Sequence, residues 1–94
     1  MTYKVIFRKS AEQEFRALSN GKKKAIHKEI KKLEKTDKPA GYKELAGYSP
    51  LKRIKSGGVR AVYDAPDAHN RIFILRIGTD HSVYFNLEAL FFRA

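Results

Sequence analysis

The fold is decided by residues 51–63, LKRIKSGGVRAVY, in which two alternating segments flank a Ser-Gly-Gly sequence. Apolar and charged side chains alternate over residues 51–55, as in a half-buried strand. Residues 56–58 favour a tight turn, so we expect residues 59–63 to return as the antiparallel partner strand. Such a hairpin would bring three cations close together: Arg53, Lys55 and Arg60.

The chain before this hairpin predicts a strand followed by two helices. Residues 3–8 are rich in β-branched and aromatic side chains, which favours a first strand. A capping-box pattern, Ser10 followed by Gln13, predicts a helix over about residues 10–18. The sequence Ser19-Asn20-Gly21 then predicts a left-handed end to this helix and a side-chain cap for the next one. The second helix has one apolar stripe that should face the sheet: Ile26, Ile30 and Leu33.

The chain after the hairpin predicts at least one more strand. Residues 71–77 are apolar on both faces, as expected for a covered central strand. Residues 83–85 fit a last short strand, and residues 86–94 fit either a terminal helix or a docking tail. The order of elements predicts an α+β fold, with the helical hairpin on one face of a mostly antiparallel sheet of about four strands. We expect the other face to be open and residues 1–94 to form a single domain.

Composition excludes several classes of site. The chain has 94 residues and no cysteine, which excludes disulfides, thiolate metal sites and a cysteine nucleophile. The three histidines are scattered, so we expect neither a metal nor a cofactor. The longest apolar run covers residues 72–75, whereas a membrane helix needs about 20 residues. Residues 1–8 do not fit the pattern of an export signal, so we expect a cytoplasmic protein that does not bind membranes.

The excess of positive charge indicates a polyanionic partner. The chain carries 20 Lys and Arg against 10 Asp and Glu, a net charge of +10. Such charge favours binding to phosphate backbones but specifies neither sequence nor chemistry. Four lysines in the second helix and the hairpin are candidate RNA-binding residues, although they also fit a solvated surface: Lys28, Lys31, Lys32 and Lys52.

The motifs, in their order and spacing, resemble the RelE/ParE toxins of bacterial and archaeal type II toxin–antitoxin systems, which include the RelE-like mRNA interferases. The resemblance covers nearly the whole chain and agrees with the predicted α+β fold. It rests on residues 3–7 leading into Ser10 and Ala11, a helical hairpin that ends at Leu33, residues 43–47, Arg53-Ile54-Lys55, residues 59–63, and Gly78 through Val83 and Tyr84.

The resemblance implies an endoribonuclease that cuts mRNA in the ribosomal A site without a metal. A 2′-hydroxyl attacks the neighbouring phosphate and a 5′-hydroxyl leaves. By matching positions, Arg53 and Lys55 lie on the basic strand of the family site, and Arg60 matches the arginine that holds the scissile phosphate. Tyr84 matches the family's C-terminal tyrosine. The implied partners are the ribosome, mRNA and a cognate antitoxin, in a hetero-oligomeric toxin–antitoxin complex.

The segment after Gly78 departs from the family pattern. Many relatives carry His-Arg or Lys-Arg there, whereas this chain has Thr79 and Asp80. His81, with an ordinary pKa of about 6.5, is the candidate that compensates as a proton-transfer group. Two alternatives stay open: a ParE-like toxin that inhibits DNA gyrase without cleaving anything, and an inactive homologue that only binds RNA. The apolar tail over residues 85–92 fits core packing or an antitoxin-covered surface.

Overall fold

In the computed structural model, which describes residues 2–45, 47, 50–66, 70–79 and 83, two helices pack on one face of a five-stranded sheet. The elements in chain order are β1 Lys4–Phe7, α1 Lys9–Arg16, α2 Asn20–Lys32, β2 Lys43–Glu44, β3 Lys52–Ser56, β4 Val59–Asp64 and β5 Arg71–Gly78. Neither helix in this part of the chain is long and apolar enough to cross a membrane.

Among the described residues the sheet has the order β1-β5-β4-β3-β2, in which β1 and β5 pair in parallel and the other neighbouring strands are antiparallel. The predicted α+β fold, with a helical hairpin on a mostly antiparallel sheet, is confirmed. The strand count is five instead of about four, because the two residues of β2 pair with β3 in a segment for which no strand was predicted. Parallel strands need a long crossover connection, and the connection from β1 to β5 contains both helices and strands β2 to β4.

The predicted hairpin forms from β3 and β4. Its turn residues Gly57 and Gly58 have φ values of 58° and 79°, which is the geometry of a type I′ turn. The turn also packs directly against α2, since a Cβ built on Gly57 would lie 2.8 Å from the Cβ of Ala25. A side chain at position 57 is therefore excluded by backbone conformation and by space.

The main core lies between the helices and the sheet. The predicted apolar stripe of α2 is buried there, with Ile26 and Leu33 at 0% exposure and Ile30 at 4%. The expectation of an open second face is correct for only part of that face. A smaller cluster is buried on that face because alternate positions of the strands are also apolar: Leu51, Val62, Leu75 and Val83.

The predicted helix caps are wrong. Helix α1 begins at Lys9, earlier than the capping box implied, and its N-cap residue Arg8 makes no side-chain capping bond. The Ser10 hydroxyl instead donates a hydrogen bond of 3.2 Å to the carbonyl oxygen of Leu75. Helix α1 ends at a right-handed Ala17, and α2 begins at Asn20 with no side-chain cap from Ser19. In place of the predicted caps, Ser10 makes a tertiary hydrogen bond and a short connection joins the two helices.

Helix α1 covers the part of β5 that β1 does not reach. The pairing of β1 with β5 ends at Phe7 and Ile74, and no other strand among the described residues pairs with the outer edge of residues 75–78. The carboxylate of Glu14 accepts a 2.9 Å hydrogen bond from the backbone N–H of Ile77. It also forms a 3.0 Å ion pair with Arg76. Glu14 therefore takes the place of a neighbouring strand at this edge.

Replacing Glu14 with alanine is expected to lower the free energy of unfolding by about 1–3 kcal/mol, because the Ile77 N–H loses its acceptor. Glu14→Gln should cost less, since its amide oxygen can still accept that bond. Glu12 provides the matched control on the same helix, because its ion pair with Arg16 is exposed and such pairs contribute about 0–1 kcal/mol. Urea denaturation followed by circular dichroism measures all three; equal losses for Glu12→Ala and Glu14→Ala would contradict the edge-covering role.

Candidate functional site

The structure brings the three predicted hairpin cations together on the face of the sheet opposite the helices. Their neighbours Ile54, Val59 and Ala61 are buried under the helices, so the alternating positions point the other way. Lys55 and Arg60 are direct cross-strand partners, and Arg53 is two residues from Lys55 on the same face. Lys55 is exposed, and Arg53 and Arg60 are partly exposed.

Strand β2 adds a fourth cation that the sequence patterns did not predict. Lys43 is the cross-strand partner of Arg53, and its side chain is exposed. Two residues are too few to show a strand periodicity, so only the contact between β2 and β3 could reveal this pairing. We call the four residues Lys43, Arg53, Lys55 and Arg60 the basic face.

The basic face holds two like-charge pairs between neighbouring strands, Lys43 with Arg53 and Lys55 with Arg60. Like charges directly opposite each other destabilise an antiparallel pair by about 0.2–1 kcal/mol. Across the described part of the chain, the acidic partners in ion pairs are Glu12, Glu14 and Glu29, and none of them pairs with the basic face. This arrangement costs stability by itself and is suited to binding a polyanion.

Gly78 lies between the basic face and Val83, the one described residue after position 79. It is the cross-strand partner of Arg60, and a Cβ at this position would overlap Cγ1 of Val83. Val83 is buried in the second cluster with Val62, which is the partner of Arg53. A glycine at 78 therefore allows the residue that precedes Tyr84 in sequence to pack on the same face as the cations.

Two of the predicted catalytic residues, His81 and Tyr84, lie outside the described residues, as does Asp80. Thr79 is exposed and directly follows β5. The predicted roles of His81 and Tyr84 therefore stay predictions.

Lys52 lies apart from the basic face. It is only 7% exposed, and its ammonium group donates a 3.2 Å hydrogen bond to the carbonyl oxygen of Pro50. Burial raises the pKa of Asp64, and the charge of Lys52 partly offsets this rise. Lys52 thus partly compensates a half-buried carboxylate, and the structure does not group it with the exposed cations.

The helix lysines Lys28, Lys31 and Lys32 are exposed on α2. Lys32 forms a 2.9 Å ion pair with Glu29 on the same helix. Because α2 packs on the face of the sheet opposite the basic face, these lysines form a separate charged surface. An RNA that contacted both surfaces would have to pass around an edge of the sheet.

Comparison with known proteins identifies the fold. No protein-family model matches the chain, and no curated protein matches it significantly. Among solved structures, the E. coli toxin RelE, as a double arginine-to-alanine mutant in the free state, matches with a TM-score of 0.80 and 23% identity, covering 100% of both chains. The intact E. coli RelBE toxin–antitoxin complex matches at 27% identity and a TM-score of 0.71, over 84% of this chain and 98% of the other.

An archaeal example shows that the likeness extends beyond bacteria. The RelE-RelB complex from Pyrococcus horikoshii matches with a TM-score of 0.66 and 22% identity, over 82% of this chain and 93% of that one. The α+β arrangement and the strand order described above thus belong to a known architecture. The chain has the fold of the RelE toxins of toxin–antitoxin systems.

Proposed function

We propose that the chain is the toxin of a type II toxin–antitoxin system and acts as a ribosome-dependent mRNA endonuclease. The observation that carries this proposal is the basic face. Four cations without acidic partners among the described residues lie together on a RelE fold, where RNA phosphate can supply the missing negative charge. The proposed activity places the protein in the cytoplasm, with ribosomes and mRNA.

The proposed reaction is an internal transfer at phosphorus. The 2′-oxygen forms a bond to the adjacent phosphorus while the bond to the 5′-oxygen breaks, which leaves a 2′,3′-cyclic phosphate and a 5′-hydroxyl. A base must take the proton from the 2′-hydroxyl, and an acid must give one to the departing 5′-oxygen. This chemistry uses protein side chains only and needs no metal or cofactor.

The basic face would stabilise the charge that develops on the two non-bridging phosphate oxygens. The guanidinium of Arg60 offers two parallel N–H donors, and the ammonium of its partner Lys55 adds a mobile point charge. Preorganised donors aimed at developing charge are the largest single contribution in many enzymes. Arg53, two residues from Lys55 on the same strand, extends this field along the RNA.

Proton transfer is proposed for residues of the C-terminal segment. His81 has the side chain whose ordinary pKa of about 6.5 suits both roles near neutral pH. Tyr84 would stack against a base beside the scissile phosphate. Val83, which precedes Tyr84 in sequence, is buried beside Gly78, and Gly78 is the cross-strand partner of Arg60. This supports the proposal, because the chain at Val83 lies close to Arg60.

The proposed partner that restrains the toxin is an antitoxin protein. The matched structures include toxin–antitoxin complexes from E. coli, Mycobacterium tuberculosis and Pyrococcus horikoshii. An acidic antitoxin segment could neutralise the +10 charge of this chain. The proposed complex is hetero-oligomeric.

Primer extension on a message in a reconstituted translation system tests the proposed function. We expect the purified protein to cut the message within the codon at the ribosomal A site and to leave the same message intact when ribosomes are omitted. Cyclic phosphate and 5′-hydroxyl ends should appear at the cut. A message that stays intact on the ribosome would refute the nuclease, and a DNA gyrase supercoiling assay would then test inhibition without cleavage.

A further inference from the structure

Lys43 lies on the edge strand of the sheet, at the border of the basic face. Strand β2 has only two residues, and Lys43 is the one paired with Arg53, while Glu44 is paired with the buried Lys52. The exposed lysine therefore lies on the face that carries the proposed chemistry, and the carboxylate lies next to the buried lysine. The edge strand thus adds positive charge to the basic face and keeps its acidic residue away from it.

The four cations form two rows across the sheet. One row joins Lys43 to Arg53, and the other joins Lys55 to Arg60. The rows are two residues apart along β3, which corresponds to about 6.6 Å in a strand. This separation is close to that of neighbouring phosphates along a single RNA strand, so each row can hold one phosphate.

We propose that Lys43 is an RNA-binding residue that, together with Arg53, holds the phosphate next to the one held by Lys55 and Arg60. The proposal rests on the proposed function for the identity of the RNA as a single-stranded message. The repulsion between Lys43 and Arg53 is relieved when a phosphate lies between them. Lys43 makes no contact with the reacting atoms and acts by binding substrate.

Binding to a short single-stranded RNA that carries 2′-O-methyl groups, and so cannot be cut, tests the proposal without any cleavage. On single strands, each phosphate neutralised contributes about −0.7 to the slope of log affinity against log salt. Because Arg53 still contacts the same phosphate, Lys43→Ala is expected to make the slope shallower by up to about 0.7 in a fluorescence-anisotropy titration. Lys43→Arg is expected to keep the wild-type slope.

Lys4 provides a matched control at the other edge of the sheet. It is an exposed lysine on an edge strand and is also the cross-strand partner of an arginine, Arg71. Arg71 lies at the opposite end of β5 from Gly78, the partner of Arg60. Lys4→Ala therefore removes the same charge in a similar setting, far from the basic face, and should leave the slope unchanged.

A charge reversal separates loss of binding from loss of folding. Lys43→Glu places a carboxylate opposite Arg53, which replaces a repulsion with an attraction. Without RNA, this variant is expected to melt about 1–8 °C higher than the wild type. In the cleavage assay it should raise the protein concentration needed for half-maximal cutting, with little change in the rate at saturation. A variant that is more stable yet binds RNA less well cannot be explained by unfolding.

The outcomes of these tests are distinct from those of the nuclease assay. If Lys43→Ala and Lys4→Ala give the same salt slope, the proposed role of Lys43 is wrong, even if the wild type cuts mRNA. If the salt slope becomes shallower for Lys43→Ala and not for Lys4→Ala, the role of Lys43 in binding stands, even if the message stays intact on the ribosome. A Lys43→Glu variant that binds RNA as well as the wild type would also overturn the inference.

Discussion

Replacing Arg60 with alanine is expected to slow mRNA cleavage by about 100- to 1,000-fold under single-turnover conditions, the usual cost of removing one preorganised donor from a developing charge. Arg60 is held for this role by its place in the hairpin. It pairs with Lys55 on one side and with Gly78 on the other, and the buried Val83 packs against Gly78.

Two further variants show whether this loss reflects the geometry of Arg60 or its charge alone. Arg60→Lys keeps the charge but lacks the planar pair of donors, so we expect a partial recovery. Arg16→Ala removes an equal charge from the exposed surface of α1, where the arginine pairs only with Glu12 among the described residues, and should cut at nearly the wild-type rate. Equal cleavage rates for Arg60→Ala and Arg16→Ala would show that Arg60 has no specific role in cleavage.

Replacing Tyr63 with alanine is expected to lower the free energy of unfolding by about 3–5 kcal/mol, as for other large aromatic core residues. Tyr63 is fully buried near the C-terminal end of β4, and its hydroxyl donates a 2.7 Å hydrogen bond to the carbonyl oxygen of Asp37, in the loop after α2. Burial raises the pKa of this hydroxyl well above its usual range, so it remains a donor throughout the neutral range.

The two contributions of Tyr63 can be measured separately. Tyr63→Phe keeps the ring in the core and removes only the hydrogen bond, so the expected loss is about 0.5–1.5 kcal/mol. Urea denaturation followed by circular dichroism gives both values. For a domain whose total stability is about 5–15 kcal/mol, the alanine variant should be close to unfolding. A loss below about 1 kcal/mol for Tyr63→Ala would contradict the described packing of β4 under the helices.

The sequence predicted the hairpin well because local and long-range signals agree there. The alternation over residues 51–55 and the two glycines at 57 and 58 favour the same turn and the same pair of faces. The shared face of Arg53, Lys55 and Arg60 follows from this period of two, with no knowledge of the rest of the chain.

Elsewhere the sequence signals were outweighed by tertiary contacts. Ser10 fits a capping box, but the carbonyl of Leu75 accepts its hydroxyl, because α1 lies against the outer edge of β5. Strand β2 has no periodicity to detect, and its pairing exists only because the chain after α2 returns to the side of β3. The place of Lys43 on the basic face was therefore invisible in the sequence.

The net charge of the chain does not show which cations lie on the basic face. Lys52 and Arg53 are neighbours in sequence, yet one is buried beside a carboxylate and the other is partly exposed on the basic face. The lysines of α2 contribute to the same net charge but belong to the other side of the sheet. The direction of each side chain, and not the total charge, decides which cations can act on one RNA strand.

The most direct measurement compares two variants of equal charge in ribosome-dependent cleavage of a message. Lys55→Ala with Arg60→Ala removes two cations from the basic face, and Lys22→Ala with Lys24→Ala removes two exposed cations from α2. We expect the first variant to leave the message intact and the second to cut it at nearly the wild-type rate. Equal loss in both variants would mean that overall charge, and not the basic face, carries the activity, and full cleavage by the first would contradict the proposed site.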